Sequence, residues 1–295
     1  MIYTVKAGDT LAGIAANHGT VQNMMANNII CNPNLLFIGQ PILIPDSGFE
    51  YPKAGGYPYY VAQYGDSIGC LAPQFGQTQA EFAAANQLEG MNHIFEGNEE
   101  LLVMFNVPNP VELRNSWLET ADNAQCQLSP LQEHGIYFIG SFQWEALGDT
   151  AVPYLLPLIK HSCSTVRFYA VLSLGRIANG IGTRAALEEA AKDSEADVAE
   201  LARIALNRYD HVQRYTRRLH YTTADQRLYA EANGQSSSIA VPKGTGVFSL
   251  RWNIPSSLNE EGPRGGLLLY DQVQLIYNGQ AGYLPRVGYN ETVLV

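Results

Sequence analysis

The chain of 295 residues is 46% hydrophobic and only 16% charged, which allows real cores and argues against a coiled coil or a disordered chain. Its formal net charge is −10, and residues 1–103 hold two lysines, no arginine and nine acidic residues, a net −7. That sign argues against a nucleic-acid role, since phosphate binding wants the opposite charge, and the length suits three or four domains.

Two segments near the start repeat each other. Tyr3-Thr4-Val5-Lys6-Ala7-Gly8-Asp9-Thr10-Leu11 returns as Tyr60-Val61-Ala62-Gln63-Tyr64-Gly65-Asp66-Ser67-Ile68, an offset of 57. Thr20 and Asn28 then match Thr78 and Asn86, and Gly39 matches Gly97, at an offset of 58, with one inserted residue expected at Gln77. Each copy predicts a strand, a Gly-Asp turn and a helix capped by Thr10 or Ser67. A second helix and a last strand follow. Val21, Met24 and Met25 make a helical stripe in the first copy, as Phe82 and Ala85 do in the second. A module used twice in tandem points to avidity for a repetitive ligand.

Both copies resemble the LysM family, small β-α-α-β domains that bind glycans containing N-acetylglucosamine. The resemblance rests on the Tyr-x-Val strand, the Gly-Asp-(Thr/Ser) turn, the helix ending at Asn28 or Asn86, and Gly39-Gln40-Pro41-Ile42-Leu43-Ile44-Pro45. It implies a shallow sugar groove between the loop after the first strand and the loop before the last. In the first copy this places Gly8, Asp9, Thr10 and Leu11 against Asn32, Pro33, Asn34, Leu35, Leu36 and Phe37. In the second, Gly65, Asp66, Ser67 and Ile68 face Met91, Asn92, His93, Ile94 and Phe95. The second copy departs from the pattern at Glu96, Glu99 and Glu100, which crowd its final strand, and no proline closes it.

A linker at Asp46–Pro58 is expected to keep the modules close while letting them reorient, and Asn106-Val107-Pro108-Asn109-Pro110 marks a domain stop. Four cysteines, Cys31, Cys70, Cys126 and Cys163, fit no zinc spacing. Buried free thiols are expected, with a Cys31–Cys70 link between the repeats as the alternative.

From about Ser129 to Tyr209 the period is helical. Val166, Ala170, Leu174 and Ile177 form one stripe. Val198, Leu201, Ala202, Ala205, Leu206 and Tyr209 form another, with a break at Asn179-Gly180-Ile181-Gly182 and a helix from Thr183 between them. With Ala146-Leu147-Gly148-Asp149 and Ser173-Leu174-Gly175-Arg176, this segment resembles short HEAT-like repeats, which implies a ridged surface for a protein partner or a rigid spacer.

The remainder is β-rich. Asn278-Gly279 between Val273–Tyr277 and Gln280–Leu284 predicts a hairpin with a two-residue turn, and Pro242–Val247 a turn into another strand. With Leu228-Tyr229-Ala230 these motifs resemble the bacterial SH3-like family. Glu231-Ala232-Asn233-Gly234 and a polar insertion from Asn253 to Gly266 depart from it. Tyr270, Tyr277, Tyr283 and Tyr289 are expected in the core and rim.

The expected fold class is therefore multidomain α+β. Two β-α-α-β LysM modules (1–46 and 59–104) precede an α-helical HEAT-like hairpin stack (125–210) and a small β-barrel of SH3-like type (218–295). No catalytic motif stands out: His161 and Cys163 lie at a helix junction, and Glu188-Glu189 and Glu260-Glu261 read as solvated surface. No enzyme, no metal and no cofactor are expected. The expected partner is peptidoglycan or another N-acetylglucosamine polymer, bound by a cell-wall or spore-envelope adaptor. The alternative is a structural subunit of a spore layer, surface appendage or phage-like particle. No membrane span and no signal peptide are read, since no apolar run is long enough and the first strand starts at Ile2. The expected location is the cell wall, spore envelope or extracellular surface.

Overall fold

The computed structural model describes residues 2–44, 58–103, 107–212, 214–262 and 266–286. The linker predicted at Asp46–Pro58 lies outside the described residues except for Pro58, as do Asn106 and Tyr289. The chain divides into two compact units, one of residues 1–104, 226–241 and 248–287, the other of 105–225, 242–247 and 288–295.

The first unit opens with β1 (Ile2–Thr4), α1 (Leu11–Ala16), α2 (Val21–Asn28) and β2 (Pro41–Leu43). Strands β1 and β2 pair antiparallel, with Tyr3 opposite Ile42. The same order returns as β3 (Tyr59–Val61), α3 (Ile68–Gln74), α4 (Gln79–Ala85) and β4 (Glu100–Leu102), with Tyr60 opposite Leu101. Hydroxyls start every one of these helices. Thr10, Thr20, Ser67 and Thr78 accept from Gly13, Asn23, Cys70 and Glu81 N–H respectively, and Glu81 completes a capping box.

Small residues of the repeat need realignment. Helix α3 has seven residues against six in α1, so the insertion falls in that helix rather than at Gln77. Gly39 N–H donates to Val5 O, and the bond that repeats it runs from Asn98 N–H to Ala62 O. Asn98 (φ 71°), not Gly97, is therefore the partner of Gly39 (φ 84°). Asparagine tolerates the left-handed region the turn requires.

Leu11, Ile14, Met24, Ile30 and Ile42 form the first module's core. Ile68, Leu71, Phe82, Phe95 and Leu101 form the second's, joined by Ile29 from the first copy. Cys31 and Cys70 are disulfide-bonded across the modules, and Cys126 and Cys163 are bonded within the second unit. The expectation of free thiols is thus corrected, because both pairs are brought within bonding reach by packing between elements far apart in sequence. With Ile29 in the neighbouring core and the covalent link beside it, the two modules are not free to reorient.

The second unit is helical. It runs through α5 (Pro110–Asn123), α6 (Pro130–Gln132), a π-helical stretch (Glu133–Phe138), α7 (Ile139–Ala146) and α8 (Val152–Leu155). Then come α9 (Ser164–Ile177), α10 (Thr183–Ala190) and α11 (Ala196–Val212). Helix α11 packs on α9 and α10, and α7 packs on α9. Val166, Ala170, Leu174, Val198, Leu201, Ala202 and Ala205 of the predicted stripes are buried. The buried Arg208 guanidinium donates to Gly175, Arg176 and Leu219 carbonyls, tying α11 to the end of α9 and to β5 (Leu219–Tyr221).

The last strands are β6 (Gln226–Tyr229), β7 (Ser238–Val241), β8 (Gly246–Pro255), β9 (Leu269–Leu275) and β10 (Ala281–Pro285). They lie in the order β8-β9-β10-β6-β7 within a six-stranded sheet whose other edge strand, beyond β8, is β5. Among the described residues the end strands of this sheet are not joined, so the expected barrel is corrected to an open sheet. The predicted hairpin is present with Ala281 opposite Gln274. Its loop is longer than two residues: Leu275 N–H donates to Gln280 O, and only Gly279 is left-handed (φ 74°), whereas a tight two-residue turn of the expected type needs two such residues. Of the tyrosines, Tyr270 is buried and Tyr277 is 66% exposed.

Within the first unit, β4 meets this sheet. The buried Glu100 carboxylate accepts from Trp252 Nε1 at 3.1 Å and from Ser249 Oγ, and the Tyr59 and Trp252 rings lie 5.6 Å apart. The acidic residue that departs from the repeat pattern is therefore a contact to β8.

Candidate functional site

In the first module, strand β1 delivers the chain to a tight turn. Asp9 Oδ2 accepts from Lys6 N–H at 2.7 Å and from the Tyr3 hydroxyl at 2.8 Å. Gly8 sits at φ 88° with open space where a Cβ would stand, so the backbone conformation alone calls for glycine there. The opposite wall is a second built turn. Asn32 Oδ1 accepts from Asn34 N–H and Asn32 O from Leu35 N–H, while Gln40 Oε1 accepts from Phe37 N–H at 3.0 Å. Leu35 and Phe37 are exposed, and Leu36 packs on the core. Among the described residues no backbone hydrogen bond joins residues 8–11 to residues 32–37. The two walls are not bonded to each other, although the N–H groups of Asp9, Asn34, Leu35 and Phe37 are taken within their own turns.

The second cleft is built from the same parts and is closed. Gly65 N–H donates to Phe95 O, Phe95 N–H to Asp66 O, and Ile68 N–H to His93 O, with Ser67 bridged to Ile94. These bonds pair the backbone groups of the two facing loops with each other. Asp66 is buried and accepts from the Tyr60 hydroxyl at 2.5 Å and Gln63 N–H at 2.9 Å.

The predicted site residues therefore sort by exposure. Gly8, Thr10, Asn32, Asn34, Leu35 and Phe37 are exposed, and Asp9, Pro33 and Leu36 partly so. Gly65, Met91, Asn92, His93 and Ile94 are exposed, and Ser67 partly so. Leu11, Ile68 and Phe95 are core residues, 1%, 0% and 1% exposed, and are corrected from groove to core. Position in the motif places them beside the groove, but their apolar side chains pack inward beneath it. Asp66 is likewise buried and unavailable. Ile38 and Tyr64, each 75% exposed, flank the two clefts and were missed, because neither occupies a motif position.

The carboxyls of the repeated Tyr-Asp pairs shift in opposite directions, while both tyrosines are raised. The Lys6 N–H and Tyr3 hydroxyl hold the Asp9 carboxyl below its ordinary value of 3.8. Burial pushes the Asp66 carboxyl above that value, and burial with the neighbouring Asp66 raises Tyr60 well above its own. A lowered carboxyl contributes stability above its unfolded pKa and loses it as pH falls through the folded one. A raised carboxyl contributes below its unfolded pKa and loses it as pH rises through the folded one. The turn at Lys6–Asp9 is accordingly expected to hold from neutral pH down to 3.8 and to loosen only below. The second module tightens as acid protonates Asp66. Residue-resolved NMR across a pH titration checks both, and a Lys6–Asp9 turn that loosens well above 3.8 contradicts the first.

The LysM domain family matches residues 3–45. Residues 3–45 are a LysM domain. Such a domain indicates binding of peptidoglycan or another N-acetylglucosamine polymer in a cell-wall setting. An N-acetylmuramoyl-L-alanine amidase, sle1, of Staphylococcus epidermidis (strain RP62A) is 35% identical over 101 residues, 32% of this chain and 30% of the relative. The sle1 amidase of Staphylococcus aureus (strain USA300) is 33% identical over 104 residues, with the same coverages. The chain thus matches under a third of those relatives, over the LysM region only. Among solved structures, the spore cortex-lytic enzyme SleL of Bacillus megaterium QM B1551 is 30% identical over 37% of this chain and 23% of that one, with a TM-score of 0.15. SleL of Bacillus cereus is 11% identical over 97% and 88%, with a TM-score of 0.18.

The amidase relatives overturn the expectation that this chain is not an enzyme. In those relatives the LysM region belongs to enzymes, so the lack of a recognised motif here is no ground for excluding catalysis. No helix among the described residues is long and apolar enough to cross a membrane.

Proposed function

We propose that residues 3–103 are two LysM modules that hold the protein on an N-acetylglucosamine polymer of the cell wall or spore envelope, with the first cleft carrying most of the affinity. The observation behind this reading is the open first cleft, walled by Gly8–Thr10 and Asn32–Phe37, within the LysM domain. The sugar's acetamido group would pair with peptide groups of the two walls that are not bonded within their own turns, and rest against Leu35 and Phe37. The second module contributes less, because its corresponding edges pair with each other. Two disulfides suit an oxidising, extracellular setting. The helical unit, of HEAT-like pattern, would present or space a protein partner, and the C-terminal sheet stands where an SH3-like domain would. The amidase relatives direct a parallel assay of wall hydrolysis by the whole chain.

The test is co-sedimentation with insoluble peptidoglycan and with chitin. Thr10 and Ser67 are poor sites for mutation because they cap α1 and α3. The exposed residues serve better. Leu35→Ala with Phe37→Ala is expected to weaken binding at least about tenfold, each residue surrendering a buried apolar contact with the sugar. Met91→Ala with Ile94→Ala is expected to change it by less than about threefold. Retention of full affinity in the first variant would refute the cleft assignment.

A further inference from the structure

The second wall of the open cleft is held from outside its own module. Its C-terminal end is fixed locally, by Gln40 bonded to Phe37 and to Val5 N–H, and by Gly39 N–H on Val5 O. Its N-terminal end begins at Cys31, whose sulfur is bonded to Cys70 in the first turn of α3. Ile29, two residues earlier, adopts a left-handed conformation (φ 50°) and is buried in the second module's core. A β-branched residue enters that region only under tertiary constraint. Gln74 Nε2 lies 3.3 Å from Cys70 Sγ and 4.0 Å from Cys31 Sγ, covering the bond.

We infer that the Cys31–Cys70 disulfide is a positioning element for glycan binding by the first cleft, with the closed second module as its fixed base. The inference rests on the glycan-binding reading of that cleft. Since no backbone bond crosses the cleft, the placement of Asn32–Phe37 depends on its two anchors, and one of them is covalent. The base is rigid for the same reason that the second cleft is closed. Cys70 N–H is capped by Ser67, and Ser67 is bridged to Ile94. A wall freed at Cys31 would have to be ordered by the ligand on each binding event, which costs affinity without removing any contact. Reduction by a dithiol delivers two electrons and two protons to the cystine, giving two thiols and the cyclic disulfide of the reagent. Affinity for the polymer is thereby tied to the redox state of the surroundings.

The experiment titrates the full chain with a soluble N-acetylglucosamine oligomer by calorimetry. The oxidised protein is compared with Cys31→Ser/Cys70→Ser, which keeps Cys126–Cys163 intact. The double variant is expected to bind about tenfold more weakly, as for ordering one freed residue of the wall. NMR signals from Leu11, Met24 and Ile42 report whether the first core remains folded. If the variant loses that core, the Cys126→Ser/Cys163→Ser protein after dithiol reduction replaces it, so that Cys31–Cys70 is the one disulfide broken. Rejoining its thiols with diiodomethane forms two C–S bonds as two C–I bonds break and two HI leave. This methylene bridge is expected to restore affinity, since the anchor and not the S–S bond matters. Equal affinity of the oxidised and freed forms overturns this inference alone, as does failure of the bridge to restore binding to a folded protein. No binding by the oxidised wild type overturns the glycan reading and this inference with it.

Discussion

Replacing Asn28 or Asn86 by alanine is expected to lower stability by about 2–5 kcal/mol, the cost of leaving two buried backbone groups without partners. Asn28 is 2% exposed at the end of α2. Its Nδ2 donates to Met24 O and, at 2.7 Å, to Leu43 O, while its Oδ1 accepts from Leu43 N–H at 2.5 Å. One side chain thus extends the hydrogen-bond ladder of β2 to the helix. Asn86 repeats it, bonded to Phe82 O, Leu102 O and Leu102 N–H. Alanine replaces neither the donor nor the acceptor, and an aspartate sets a buried carboxylate oxygen against the Met24 and Leu43 carbonyls, so Asn28→Asp should cost at least as much as Asn28→Ala. Denaturant unfolding followed by circular dichroism measures the change. A loss under about 1 kcal/mol would mean that water reaches Leu43 and serves it equally well.

These two asparagines were visible in the sequence as matched positions, and so were the hydroxyl caps, because each acts within a few residues of itself or repeats at a fixed offset. The helical stripes around Val166 and Val198 were legible for the same reason: burial on one face leaves a period. What was not legible depends on contacts distant in sequence. The Cys31–Cys70 link was named as the alternative to free thiols, but choosing it over them requires the modules to be packed before their thiols meet. The closure of the second cleft arises from backbone bonds between 65–68 and 93–95, which any side-chain sequence could make. Leu11, Ile68 and Phe95 share a motif position with the groove, but the direction of each side chain is set by the core beneath. The open sheet was misread as a barrel because hairpin signals fix neighbouring strands and say nothing of closure.

The same distance in sequence explains why Glu100 was misread as a flaw of the second copy, and it sets up the largest stability effect expected in the first unit. Trp252→Ala should cost about 4–6 kcal/mol, combining the loss of a large buried side chain with the loss of a charged hydrogen bond. The ring is 2% exposed on β8, faces Tyr59, and has the Arg286 guanidinium 5.8 Å from its centroid. Its Nε1 donates to a buried carboxylate, and such a carboxylate loses far more in an apolar site than a neutral acceptor does when a donor is removed. Trp252→Phe separates the two contributions, since it keeps most of the packing and deletes only the donor; about 1.5–3 kcal/mol is expected for it. Pairing it with Glu100→Ala in a double-mutant cycle should show strong coupling, because each change removes the partner of the other. Additive losses in that cycle would show that Glu100 draws its stability from Ser249 and its other neighbours, and that the indole contributes through packing alone.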